Sequence, residues 1–197
     1  MIHQFSFAII AAAALVATEA AAQMPAPIAA PGETGIVTLH AEGAQIYDCK
    51  AGTDGKLAWA FREPIATLLL DGKTVGHHYA GPNWDHADGS GVTGKVLANA
   101  HGKSANDIAW LKLEVTARRG SGVLSSATTI QRINTAGGVM SGACDKASAF
   151  HSAPYATDYV FLRKGSLGAG LAQTGGGRRL RELYCRYEHR APPTVHR

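Results

Sequence analysis

Between Ala109 and Ala117, Leu111, Leu113 and Val115 alternate strictly with Lys112, Glu114 and Thr116. A period of two puts one set of side chains on each face of an extended strand, so the segment predicts a β-strand with one face in a core and the other in water. Short stretches rich in β-branched and aromatic residues recur between turn residues: Ile36 to His40, Ala44 to Cys49, Leu57 to Phe61, Ala66 to Leu70, Thr74 to Tyr79, Thr128 to Ile133 and Asp158 to Leu162. Asp71-Gly72 separates two of them and predicts a hairpin turn, because Gly tolerates positive φ. No long stretch of this region repeats at 3.6 residues, and no helices are spaced between the strands, which disfavours a parallel α/β sheet. The expected fold is all-β, an antiparallel sandwich or barrel of about eight strands.

The rest of the chain reads as flanking segments around one domain. With 197 residues and 46% hydrophobic composition, the chain suffices for one buried core. Residues 1–22 have the pattern of a signal peptide. An unbroken apolar run from Phe5 to Val16 is too short to span a bilayer, and Ala20 and Ala22 suit cleavage before Gln23, although His3 stands where Lys or Arg is usual. The expectation is export to the periplasm or the cell exterior, with no transmembrane segment in the mature chain. Residues 23–31, rich in Ala and Pro, read as a linker, and residues 32–162 as the folded domain. Residues 163–197 carry eight Lys or Arg against two Glu, a net +6 within a chain of net +4, so the remainder is −2. The basic character therefore belongs to this Gly-rich, flexible tail. No nucleic-acid binding is inferred for the domain, and a solvated tail is preferred to a membrane-binding one.

An exported chain with three cysteines is expected to hold a disulfide. Cys49 and Cys144 are the expected pair, because both lie within the domain whereas Cys185 lies in the tail. No C-x-x-C spacing occurs, so neither thiol redox chemistry nor a zinc ribbon has its signature.

Two constellations are candidates for chemistry. His77, His78, Trp84, Asp85, His86 and Asp88 crowd into a stretch with Gly and Pro, which reads as a surface loop after a strand. There, His78 and His86 are candidate nitrogen ligands of a divalent metal, and Asp85 or Asp88 candidate oxygen ligands. Adjacent His77 and His78 would point to opposite faces of a continuing strand, and the spacing matches neither H-x-H nor H-E-x-x-H. The plainer reading is a loop held by side-chain-to-backbone bonds, with one buried His and Trp84 packed over the core. In the second constellation Trp59, Trp84, Trp110, Tyr47 and Tyr79 would line a groove in which a small ligand stacks. Here the plainer reading is that the rings cover core edges, Trp110 lying on the polar side of its strand.

The segments Gly43-Ala44-Gln45-Ile46-Tyr47-Asp48-Cys49, Gly76 to Trp84 with Asp88-Gly89-Ser90, Ala109-Trp110-Leu111, Thr129 to Thr135 with Gly137-Gly138, Cys144-Asp145 and Pro154 to Phe161 together resemble the domain of unknown function 3455 family, a group of exported bacterial and fungal proteins. The resemblance spans about residues 32 to 162 in order, and the tail lies beyond it. It implies no agreed activity, although a malate dehydrogenase label is attached to some fungal members. A dehydrogenase needs a Gly-rich turn that receives the pyrophosphate of its dinucleotide. Gly168-Ala169-Gly170 lacks the third Gly and a βαβ setting, and a phosphate loop is ruled out from Gly89 to Lys95 by Val96, which stands where Ser or Thr is needed. Gly-x-Ser-x-Gly is also absent. The sequence therefore predicts an exported domain that binds a small ligand or envelope component, with a metal-dependent enzyme and a structural or surface-interaction protein as alternatives. It assigns no reaction and no cofactor.

Overall fold

The computed structural model describes residues 24–165, so the segment read as a signal peptide, Cys185 and nearly all of the basic tail lie outside the described residues. Eight strands follow in order: β1 (Glu33–Ala51), β2 (Leu57–Leu70), β3 (Lys73–Tyr79), β4 (Asn83–His86), β5 (Gly91–Ala100), β6 (Trp110–Arg119), β7 (Thr129–Gly137) and β8 (Phe150–Lys164). Each pairs antiparallel with the next, and β8 returns to β1 to close a barrel. Closure removes the exposed sheet edges that a sandwich would have to protect. Of the two expected architectures, the chain adopts the barrel.

The strand count agrees with expectation, but two differences offset each other. Ile36 to His40 and Ala44 to Cys49 are one strand, β1, and Leu57 to Phe61 and Ala66 to Leu70 are one strand, β2. Pro64 does not break β2, because β3 pairs with β2 only from Ala66 onward and Pro64 lies past that end. Pro154 in β8 likewise lies one residue past the last β7 pair, Gly137 with Tyr155. In the other direction, β4 and β5 are strands that the patterning does not reveal. The stretch from His77 to Asp88 is not a loop but mainly the β3–β4 hairpin, and Asp71-Gly72 forms the β2–β3 turn with both residues at positive φ (50° and 73°).

The inner face carries the core: Leu39 and Ala41 of β1, Leu68 of β2, Trp84 of β4, Leu113 of β6, Ile130 of β7 and Tyr159 and Phe161 of β8. Leu111 and Val115 pack against it, as the alternation in β6 predicts. The opposite face of β6 is wet as expected at Glu114 and Thr116, but not at its start, around Trp110 and Lys112. A single 3-10 turn, Ala26–Ile28, docks on it, where Lys112 Nζ donates to Ala29 O (2.8 Å) and Gln131 Nε2 of β7 to Ile28 O (2.7 Å). Ile28 is fully buried, and Trp110 is buried as well, both outside the main core. The segment read as a linker thus includes a packed turn.

β1, β2 and β8 run on beyond their neighbours as a three-stranded overhang. Cys49 in β1 is bonded to Cys144 in the β7–β8 connection, with their Cα atoms 5.9 Å apart. Tyr47 Oη donates to Gly138 O at 2.8 Å and fastens the same connection.

Candidate functional site

The strand lengths open a notch in the barrel wall. β3 and β4 turn back at Ala80 to Pro82, and although Ala58 of β2 bridges to Ala143, β2 from Ala60 to Pro64 and β5 beyond Gly94 continue without strand partners on that side among the described residues. Beneath the notch lies a cavity of about 270 Å³. Trp84, Leu111 and Leu113 form its apolar wall; Phe61 and Val96, which also line it, are about half exposed and mark its mouth. An eight-stranded barrel has room for its own side chains or for one small ligand, and here the inner aromatic residues fill one part while the notch end stays open.

The polar wall comes from residues that pattern reading did not single out. Register places Arg132 of β7 beside Leu111 of β6 and Tyr159 of β8, so all three point inward. Arg132 donates through Nε (3.1 Å) and Nη2 (2.8 Å) to a single carbonyl, Ala109 O. Among the described residues no carboxylate lies within ion-pair distance of it. Gln45 of β1 is buried, and its Nε2 makes no well-formed hydrogen bond; Trp84 Nε1 has no acceptor among the described residues. Tyr159 Oη lies 3.5 Å from Tyr155 Oη, and burial pushes both phenols up, Tyr159 well above its ordinary range.

His78 completes the wall. Its Nδ1 donates to Asn83 O at 2.8 Å, and its ring stacks on Trp84 with centroids 4.3 Å apart and planes at 13°. Burial drives its pKa down to about 4 against the pull of the Asn83 carbonyl, and the charge on Arg132 adds to the depression. His78 is therefore neutral at pH 7.

The structure does not bring the four candidate metal ligands together. His78 faces the interior, whereas Asp85, one position on from the inward Trp84, faces outward. Burial raises the Asp85 carboxyl, but bonds from Arg119 and from Tyr79 Oη (2.8 Å) outweigh it and hold it below the usual range. Asp88 is a loop clamp: Oδ1 accepts from Ser90 Oγ (2.6 Å) and Ser90 N (2.9 Å), Oδ2 from Val123 N (2.7 Å), and His86 Nδ1 sits 3.0 Å from Oδ1. These bonds, led by the Ser90 hydroxyl, keep its carboxyl far below the ordinary range. Among the described residues no group of three or more His, Cys, Asp or Glu side chains is arranged to hold a metal.

Of the five candidate stacking residues, Trp84 alone lines the cavity, and Tyr47 is bonded to Gly138 O instead. Tyr79 is tied to Asp85 and stacked on His77 (5.0 Å), Trp59 lies beside His151 (5.5 Å) on the overhang, and Trp110 is buried away from the cavity. Arg132 had one legible signal, since it is in phase with the core residue Ile130. Ile133 occupies the alternate phase and masks it.

No curated protein and no solved structure matches the chain. The family described as protein of unknown function DUF3455 matches residues 30–72 and 69–163, in agreement with the resemblance seen in its motifs. Those residues include the notch, the polar wall and the disulfide, and on that match the chain belongs to the DUF3455 family.

Proposed function

We propose that the barrel is a binding protein for one small, largely apolar molecule held in the notch cavity, and that it acts in the periplasm or outside the cell. The cavity itself carries the reading: an interior otherwise closed by Trp84, Tyr159 and Phe161 leaves about 270 Å³ open toward solvent, between an apolar wall and a few inward polar groups. That combination characterises ligand sites. The Cys49–Cys144 bond supports the location, because such bonds persist in oxidising compartments. No helix among the described residues is long and apolar enough to cross a membrane.

Toluene, a compact aromatic probe, tests the reading through the three indole N–H resonances. Binding in the cavity shifts the Trp84 signal saturably, leaves those of Trp59 and Trp110 unchanged, and is abolished by Leu111→Phe, which adds a ring to the apolar wall. A Trp84 signal that does not move at saturating toluene refutes it.

A further inference from the structure

We infer that the ligand carries a single anionic oxygen group of the carboxylate type, seated against Arg132 with its apolar body on Trp84, Leu111 and Leu113. The inference rests on the binding reading above and names the class of molecule bound.

The charge balance of the cavity is one-sided. A guanidinium stays ionised at any physiological pH and offers five N–H donors. Arg132 spends two of them on one neutral carbonyl. Arg132 is partly buried, and a charge drawn even partly out of water gains from a partner. None of the residues lining this cavity is acidic, and the second guanidinium at the rim, Arg62, is already engaged by Asp48 (3.5 Å) and Glu63 (2.9 Å).

The remaining polar groups lean the same way. Gln45 and Trp84 are more than nine-tenths buried; Trp84 Nε1 has no acceptor among the described residues, and Gln45 Nε2 makes no well-formed hydrogen bond, although it lies near enough to the Tyr155 phenol to act on it. A buried donor left unsatisfied costs about 1–3 kcal/mol. His78 is neutral and the two phenols are protonated, so none of them balances the cation. The site therefore has one positive charge and surplus donors, and an incoming carboxylate supplies the missing charge and acceptor lone pairs. Its planar oxygens also match the guanidinium fork.

Size narrows the class. At about 30 Å³ per water the cavity holds the volume of about nine waters, which suits a body of about ten non-hydrogen atoms. A short-chain or single-ring monocarboxylate fits, whereas a nucleotide exceeds the space and brings more negative charge than one arginine offsets.

The test compares two probes of equal size and shape, 3-phenylpropanoate and its neutral amide, 3-phenylpropanamide, titrated into the oxidised full chain at pH 7 and low salt. The Trp84 indole N–H shift is the readout. The inference expects the anion to bind at least tenfold more tightly than the amide. Arg132→Met should erase that preference, and Gln45→Met should reduce it with the fold intact. If Arg132→Met does not fold, the wild-type ratio and the Gln45 variant decide. Equal affinity for both probes overturns the anion inference and leaves the binding reading standing. No saturable shift with either probe overturns both.

Discussion

His78 gives the fold a specific sensitivity to acid. In the unfolded chain its imidazole titrates near 6.5, whereas in the barrel its pKa is about 4. Between these values the unfolded chain binds a proton that the native state refuses, so stability falls as pH falls. The contribution is fully present above pH 6.5 and gone below pH 4. A gap of 2.5 units at 1.36 kcal/mol each amounts to about 3 kcal/mol, with a maximal slope of about 1.4 kcal/mol per pH unit. Phe at this position keeps a flat ring on Trp84 and cannot be protonated, but it forfeits the bond to Asn83 O, at a cost of about 1–2 kcal/mol. His78→Phe should therefore be the less stable protein at pH 7 and the more stable one at pH 4. The two stability curves should cross near pH 5.5, about where the wild type has lost 1–2 kcal/mol. Urea unfolding followed by circular dichroism from pH 4 to pH 8, with the disulfide kept oxidised, measures both. Carboxylate titration contributes to both proteins and cancels in the difference. Parallel curves across this range would mean that His78 is not held neutral by burial, and the reasoning would fail.

Three further outcomes are expected. Replacing Cys49 and Cys144 together by Ala should lower stability by about 3–5 kcal/mol, because the bond closes a separation of 95 residues, and urea midpoints of the variant against the oxidised wild type measure it. Asp88→Ala removes the acceptor for three bonds that tie Ser90 and the Val123 amide; it should cost about 2–3 kcal/mol and speed hydrogen exchange at Val123 well before global unfolding. Gly94→Ala places a Cβ 3.1 Å from Trp84 Cζ3 and 3.4 Å from Leu113 Cδ2; it should cost about 1–3 kcal/mol by thermal denaturation and weaken toluene binding if Trp84 yields into the cavity.

The sequence shows the barrel best where the physics is local. In β6, alternation alone identifies Leu111, Leu113 and Val115 as inward, and they are. In β4 and β5 it shows nothing: Trp84 is the lone large apolar residue of a four-residue strand, and the inward face of β5 includes Gly94, which has no side chain to read. Gly94 is small because Trp84 occupies the space across from it, a relation between strands that no single stretch records. Lys112 looked fully solvent-facing because the turn that takes its bond comes from more than 80 residues earlier in the chain. The disulfide was legible because few cysteines were available and the third lies in the tail.

The site was hidden for a different reason. Sequence reading looks for chemistry where reactive side chains cluster, and His77 to Asp88 is such a cluster. In a hairpin, however, neighbours alternate between the two faces of the wall: Trp84 and His78 go inward, while Tyr79 and Asp85 go outward, where the Asp85 carboxylate accepts from both Tyr79 and Arg119. The inward pair then meets partners from β1, β7 and β8 that are remote in sequence: Gln45, Arg132 and Tyr159. The same short hairpin that divides the cluster also leaves the wall low between β2 and β5, so one local feature both places His78 and Asp85 on opposite faces and opens the cavity. Lengthening β3 and β4 by two residues each would extend the sheet across the notch. The barrel would then gain hydrogen bonds and lose its mouth, a trade that separates the demands of folding from those of binding.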